Sequence, residues 1–236
     1  VSRGLYKNVF FHRCLPSFIA QSGGMLIANR TSSSDFSSFY YVASLGAITN
    51  EYAVGRHFSN TYGTIAMAKL SGDPNSATSQ WFFNLADNSA NLDNQNGGFT
   101  VFGRVVSGTN VLNQFNSLQL NGGGIVDLTQ IYTPSSTTAL FANLPVLYTG
   151  MTPPHYNDLI YADISLFSAQ VALNSDGSRT ISWTSISNRL NHVEYAGTIP
   201  FQWQVLTSVT GTGGHMEVKD SAQSSQRLYR VRLQYP

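Results

Sequence analysis

Residues 5–20 constrain this chain more than any other stretch: a short apolar segment, a break at Pro16, and a second apolar segment. Proline offers no N–H to a sheet ladder and presets the first corner of a turn, so the pattern reads as strand, turn, strand. Cys14, the single cysteine, lies in the apolar run from Val9 to Leu15 and reads as a buried core residue; no internal disulfide can form. Three more apolar stretches read as strands: Gly63–Lys69, Ser79–Leu85 with Trp81, Phe82 and Phe83, and Phe99–Val106. A helical period occurs at Val111, Leu112, Phe115 and Leu118, predicting a short helix over Asn110–Leu118 with Ser107 or Thr109 as its cap. Residues 24–45 are Ser- and Tyr-rich and read as a long loop with some extended structure. Residues 119–157 read as an extended excursion, and Asp158–Phe167 returns to β character.

Charged residues make up only 11% of the 236, against about 25% in a typical soluble domain, so Ser, Thr, Asn, Gln and Gly must supply the polar surface. That bias is common in exported proteins. The net charge is +1 and the 13 lysines and arginines are scattered, a balance in which nothing suggests electrostatic steering toward nucleic acid or an anionic membrane. Arg230 and Arg232 alternate along an expected strand and read as a solvated sheet face. No apolar run approaches the ~20 residues of a membrane span. His12, His57, His155, His192 and His215 lack ligand spacing, so no metal and no cofactor is expected. Asn29-Arg30-Thr31 is a formal glycosylation sequon to which no role is assigned, and the glycine clusters lack the helix-start lysine of a phosphate loop. No nucleophile elbow is present.

Three motifs carry a family resemblance. The first is Phe11-His12-Arg13-Cys14-Leu15-Pro16-Ser17-Phe18-Ile19-Ala20-Gln21-Ser22-Gly23-Gly24. The second is Gly63–Lys69 followed by Asp73-Pro74-Asn75-Ser76-Ala77-Thr78-Ser79-Gln80-Trp81-Phe82-Phe83, and the third is Leu92-Asp93 followed by Phe99–Val106. In this order and spacing the chain resembles the cyclophilin-type peptidyl-prolyl cis-trans isomerases in their bacterial style. The likeness covers about residues 5–118, with Leu159–Leu166 as an expected closing strand. It implies a mainly β fold, a closed barrel with few helices, and proline-containing polypeptides as partners, with cyclosporin-like ligands by the same resemblance. By resemblance Arg13 is the catalytic arginine and Gln21 orients it. Phe18, Ile19, Phe82 and Leu92 match the walls of a proline pocket. Phe99 matches a rim position, and Ala68 and Gln80 match the groove for the residues before proline. His12 is expected to be a structural neighbour.

The sequence departs from the family pattern at several points. Ile19 replaces a methionine, Lys69 replaces an asparagine that pairs with substrate backbone, Asn91 replaces an aromatic rim residue, and Phe99 replaces histidine or tyrosine. Lysine can donate but not accept, which removes half of that backbone pairing. Only about ten residues precede the first motif where the family has strand, helix and strand, so those elements are expected to be absent from this chain, removed or supplied by another. Self-association or a separate N-terminal fragment is the corresponding partner expectation. The chain opens at Val1, as a processed or truncated product would, and a secreted, periplasmic or cell-surface bacterial location is expected. The competing reading is a structural or peptide-binding surface protein that reuses the fold, assembled by strand exchange.

The expected domains are 1–168, with insertions near 25–45 and 119–157, and 169–236. In the second, Arg179–Ser185, Val193–Thr198, Trp203–Val209, His215–Lys219 and Leu228–Leu233 read as strands, with turns at Asn174–Gly177 and Gly211–Gly214. This segment is similar to small fibronectin- or immunoglobulin-like modules, with Trp183, Trp203 and Tyr229 expected in its core.

Overall fold

The structure is a computed structural model that describes residues 5–106, 108–164, 168–197, 200–222 and 226–234. The chain divides into two compact units, Val1–Ser165 and Leu166–Pro236.

The first unit carries β1 (Val9–Phe10), β2 (Arg13–Leu15), β3 (Ile19–Ser22), β4 (Met25–Leu26), β5 (Tyr40–Tyr41), β6 (Thr64–Met67), β7 (Trp81–Asn84), α1 (Ser89–Leu92), β8 (Val101–Arg104) and α2 (Thr109–Ser117). There follow β9 (Gln119–Leu120), β10 (Gly124–Val126), α3 (Leu128–Ile131), α4 (Ser136–Ala139), β11 (Leu144–Pro145) and β12 (Tyr161–Ala162). Pro16 and Ser17 form the expected turn between β2 and β3. Ser17 takes φ +58°, Phe18 N–H closes the turn on the Leu15 carbonyl at 3.0 Å, and Ser17 N–H donates to Asn116 Oδ1 at 2.8 Å. A side-chain acceptor from α2 thus holds a left-handed residue in place.

Five strands form an antiparallel sheet in the order β2-β3-β7-β6-β8. Its alternation separates two faces. Cys14, Ala20, Trp81, Phe83, Ile65 and Met67 lie on one, packed with Phe11 and with Leu112 and Phe115 of α2. The helix begins at Gly108, in the left-handed region and without a side-chain cap; Ser107 lies outside the described residues. Burial pushes the Cys14 thiol up to about 12, which fits an inert core residue.

Two smaller sheets complete this unit, β12-β1-β4-β5 and β11-β10-β9. The segments expected as loops build the core there. Phe36 packs edge-on against Phe141 at 5.2 Å and Tyr156 at 5.7 Å, around Phe10, Met25, Val126, Leu144 and Leu159. The expected closed barrel is not formed among the described residues. β2 and β8 are the edges of the five-stranded sheet, while β1 and β12 belong to another. β12 is also shorter than the expected Leu159–Leu166: Leu159 makes only an isolated bridge to Val146, the strand itself is Tyr161–Ala162, and Ser165–Phe167 lie outside the described residues.

The second unit is all β: β13 (Ala169–Leu173), β14 (Arg179–Thr184), β15 (Leu190–Ala196), β16 (Gln204–Thr210), β17 (His215–Asp220) and β18 (Leu228–Leu233). They form two three-stranded sheets, β13-β14-β17 and β16-β15-β18, around Ile181, Trp183 and Val193. Trp183 is buried and its indole N–H donates to Asn191 Oδ1 at 3.0 Å, and Tyr229 packs against the same core. Trp203 does not. The two-residue alternation puts it with Val205, whose partner Glu194 faces outward, and the Arg230 guanidinium lies 4.2 Å above its ring. Arg230 and Arg232 do not form a merely solvated face: their Nε atoms hold buried Glu194 at 2.6 and 3.0 Å.

Phe115 meets the Phe11 ring at 4.8 Å in the first unit's core. Phe115→Ala is expected to lower that unit's stability by about 3–5 kcal/mol in denaturant unfolding. A loss below about 1 kcal/mol would show that α2 does not seal this face.

Candidate active site

The other face of the five-stranded sheet carries the candidate site, and strand register assembles it. Residues directly opposite in an antiparallel pair project to one side. Arg13 is opposite Gln21, Gln21 opposite Phe82, Phe82 opposite Ala66, and Ala66 opposite Val101. One row across five strands therefore runs from a guanidinium through an amide to an apolar floor.

That floor is a distinct cluster. Ile19, Ala66, Phe82 and Leu92 are buried in it, and Phe18, Ala68, Phe99 and Val101 pack against it. Phe82 and Phe99 meet edge to face at 5.8 Å. Five short segments from Phe18 to Val101 supply its walls, and buried amides tie several of them together. Asn88 Nδ2 donates to the Phe18 carbonyl and to Asn84 Oδ1. Asn84 Nδ2 donates to Asn60 Oδ1 and Thr64 Oγ1, and Asn60 Nδ2 donates to the Phe99 carbonyl and Asp93 Oδ1, both at 2.8 Å. Asn60 and Asn84 are wholly buried, so each unmade bond here would leave a desolvated polar group.

The polar end is equally connected. Arg13 Nη1 donates to Gln21 Oε1 at 3.3 Å, and Gln21 Nε2 donates to Gln80 Oε1 at 2.7 Å. Burial lowers the Arg13 pKa, yet an arginine stays charged at any working pH. The site thus pairs a partly desolvated cation with an apolar cluster and contains no nucleophile aligned with a base.

Every residue singled out from the sequence as a site candidate lies at this face: Arg13, Gln21 and Gln80 in the polar chain, and Phe18, Ile19, Ala68, Phe82, Leu92 and Phe99 in the apolar cluster. Asn91 is exposed on α1. Lys69 is engaged rather than open: its Nζ donates to the Asn96 and Gly98 carbonyls at 2.8 and 2.6 Å and lies 4.5 Å over the Phe99 ring. Sequence reasoning missed Ala66 and Val101, which strand alternation from Ala68 and Phe99 could have found. It also missed Asn60, Asn84 and Asn88, whose links span up to 70 residues and leave no local signal.

His12, beside Arg13, is buried with Nδ1 unpartnered. Burial, reinforced by the Arg13 charge, pushes its pKa from 6.5 down to about 4, against a smaller upward effect of the Gln80 side chain. The unfolded chain therefore takes up this proton first. Stability is whole above about pH 6.5 and falls as pH drops from 6.5 toward 4, by on the order of 3 kcal/mol in all. Urea unfolding across this window is expected to show a shallower pH slope in His12→Gln than in the parent chain; identical slopes would place the proton uptake elsewhere.

Comparison with known proteins agrees with the geometry. The family model for cyclophilin-type peptidyl-prolyl cis-trans isomerases matches residues 1–133, more than half of the chain. A peptidyl-prolyl cis-trans isomerase of Acinetobacter baylyi is 33% identical over 146 residues, covering 61% of this chain and 63% of that protein. Isomerase A of Dickeya dadantii is 38% identical over 126 residues, covering 52% and 59%. The chain thus spans about three fifths of the length of these two relatives. A cyclophilin-type isomerase of Cryptosporidium parvum, solved in the presence of the dipeptide Ala-Pro, aligns with 69% of this chain and 80% of its own at a TM-score of 0.36 and 19% identity. With the family model covering the whole row from Arg13 to Val101, this chain belongs to the cyclophilin-type peptidyl-prolyl cis-trans isomerase family.

Proposed function

We propose that the first unit catalyses cis–trans isomerisation of X–Pro bonds in polypeptides. The observation that carries this reading is the single row in which Arg13, held by Gln21, borders the apolar cluster around Phe82. Rotation about an X–Pro bond must break amide resonance, against a barrier of about 18–20 kcal/mol. A catalyst of this step needs no acid, base or covalent partner. It must bind the twisted amide better than either planar isomer.

The residues divide that work. Phe18, Ile19, Phe82, Leu92 and Phe99 grip the proline ring by burying its apolar surface. As resonance is lost the prolyl nitrogen regains a lone pair, and the Arg13 guanidinium donates to it. Gln21 keeps the guanidinium in place and reaches the substrate carbonyl. Ala68 and Gln80 border the path of the residues before proline. Lys69 is committed to the loop at Asn96 and Gly98, so backbone pairing with substrate is weaker at that position than an asparagine would give.

The clients we propose are exported proteins, with the chain acting outside the cytoplasm; its low charge content supports this. Cyclosporin-like ligands would compete for the cluster around Phe82. The second unit acts as a spacer.

Exchange spectroscopy on an Ala-Pro peptide tests the reading. The intact chain is expected to accelerate an exchange that otherwise takes about 10–100 s. Arg13→Ala is expected to lower kcat/KM by on the order of 100-fold, as loss of one preorganised donor does elsewhere. Absence of acceleration, or an equal rate in Arg13→Ala, would overturn it in favour of a protein that only binds peptides.

A further inference from the structure

The polar chain behind Arg13 extends one step further than its contact with Gln21. The geometry points to Gln80 as a positioning residue, seated by the bare Cα of Gly24, that fixes which end of the Gln21 amide faces Arg13 and so aims the guanidinium. The inference deepens the isomerase reading and rests on it.

The argument begins with the ambiguity of an amide. A glutamine side chain presents an oxygen or an NH₂ to a neighbour after a half-turn about its last bond. Arg13 can only donate, so it is held only when Gln21 offers its oxygen. Gln21 does so because its Nε2 is already given to Gln80 Oε1 at 2.7 Å, the shorter of the two bonds; Arg13 Nη1 to Gln21 Oε1 is 3.3 Å. If Gln80 withdrew its oxygen, Gln21 would lose its reason to keep that orientation. The amide could then turn its NH₂ toward the guanidinium, donor against donor.

Gln80 is confined by its surroundings. Its backbone carbonyl accepts from Ala68 N–H at 2.9 Å, which fixes the residue at the end of β7. Gly24 closes the remaining space. A Cβ built there would stand 2.7 Å from Gln80 Cδ and 2.8 Å from both Cγ and Nε2, closer than carbon atoms approach. Gly24 does not occupy the left-handed region, so the backbone would admit an alanine, and the three atoms nearest to its Cβ all belong to the Gln80 side chain. Neighbouring Gly23 differs: its φ is +82° and its Cβ would strike the Ser79 carbonyl and the Trp81 ring. Gly24 is therefore the place where Gln80 can be displaced without disturbing the backbone.

Gly24→Ala supplies the test, with Gly103→Ala as a control, since a Cβ there comes no nearer than 3.9 Å to Ile65. Folding is checked by the thermal midpoint. Side-chain ¹⁵N resonances of Arg13 in the peptide-free protein report the aim of the guanidinium, independently of any activity. We expect Gly24→Ala to keep its midpoint within a few degrees, to shift or broaden the Arg13 signals, and to lower kcat on an Ala-Pro peptide by on the order of 10- to 100-fold with little change in KM. Gln80→Ala should likewise shift or broaden the Arg13 signals and lower kcat. Adding Gly24→Ala to Gln80→Ala should cost nothing further, because the side chain through which it acts is gone. Unmoved Arg13 signals in Gly24→Ala, or additive losses in the double variant, would overturn the inference. An inactive parent chain would instead remove the isomerase reading, and the Arg13 signals would still decide whether Gln80 aims the guanidinium.

Discussion

The antiparallel register of β3 on β7 is the constraint on which both faces of the first unit depend. With Gln21 opposite Phe82 and Ala20 opposite Phe83, every other residue faces the site and the rest face the core. A slip of one residue by β3 against β7 would send Ala20 to the site and bury Gln21 under α2. Both sides resist that slip. Phe11, Trp81 and Phe83 contact one another on the core side, and Gln21 is bonded at both ends of its amide on the other. The energetic consequence of a slip is therefore both lost apolar burial and unpaired polar groups, two large costs acting in the same direction.

The site is a surface feature held by buried parts. An apolar cluster can grip a proline ring only if its walls keep their spacing, yet Phe18, Leu92 and Phe99 come from segments without long regular structure. Asn60, Asn84 and Asn88 substitute for that regularity. Their side chains bond backbone carbonyls of Phe18 and Phe99 and the Asp93 carboxylate beside Leu92, so loops far apart in sequence share one rigid scaffold. Amides suit the task because each donates and accepts, which lets a chain of them satisfy itself without carrying net charge into the interior. The same logic continues at the polar end, where Gln80 and Gln21 pass a fixed orientation to Arg13.

The second unit solves a similar problem with charge. Glu194 is buried on the outer side of its sheet and is stabilised by Arg230 and Arg232 from the adjacent strand, while Arg230 also covers Trp203. A tryptophan that a pattern of apolar residues would assign to the core is thereby accommodated outside it. Its ring meets a planar cation and the nearby Phe201 ring at 6.0 Å, and the core is left to Ile181, Trp183 and Val193.

The sequence by itself determined the strands that bear the site, a helix within one residue of Thr109–Ser117, the β-strands of the second unit except β13, and most of the residues that meet around Phe82. These features follow from local chemistry: two-residue alternation, a proline turn, one helical period, and motifs whose spacing matches a family. The tertiary structure alone decided the rest. It set β1 and β12 in a separate sheet from β2, gathered Phe36, Phe141 and Tyr156 into a core from segments that read as loops, turned Lys69 onto the Asn96–Gly98 carbonyls, and placed Trp203 outside. The physical reason is common to all four. Each rests on contacts between residues far apart in the chain, and a side chain's choice among distant partners leaves no trace in the pattern of its neighbours.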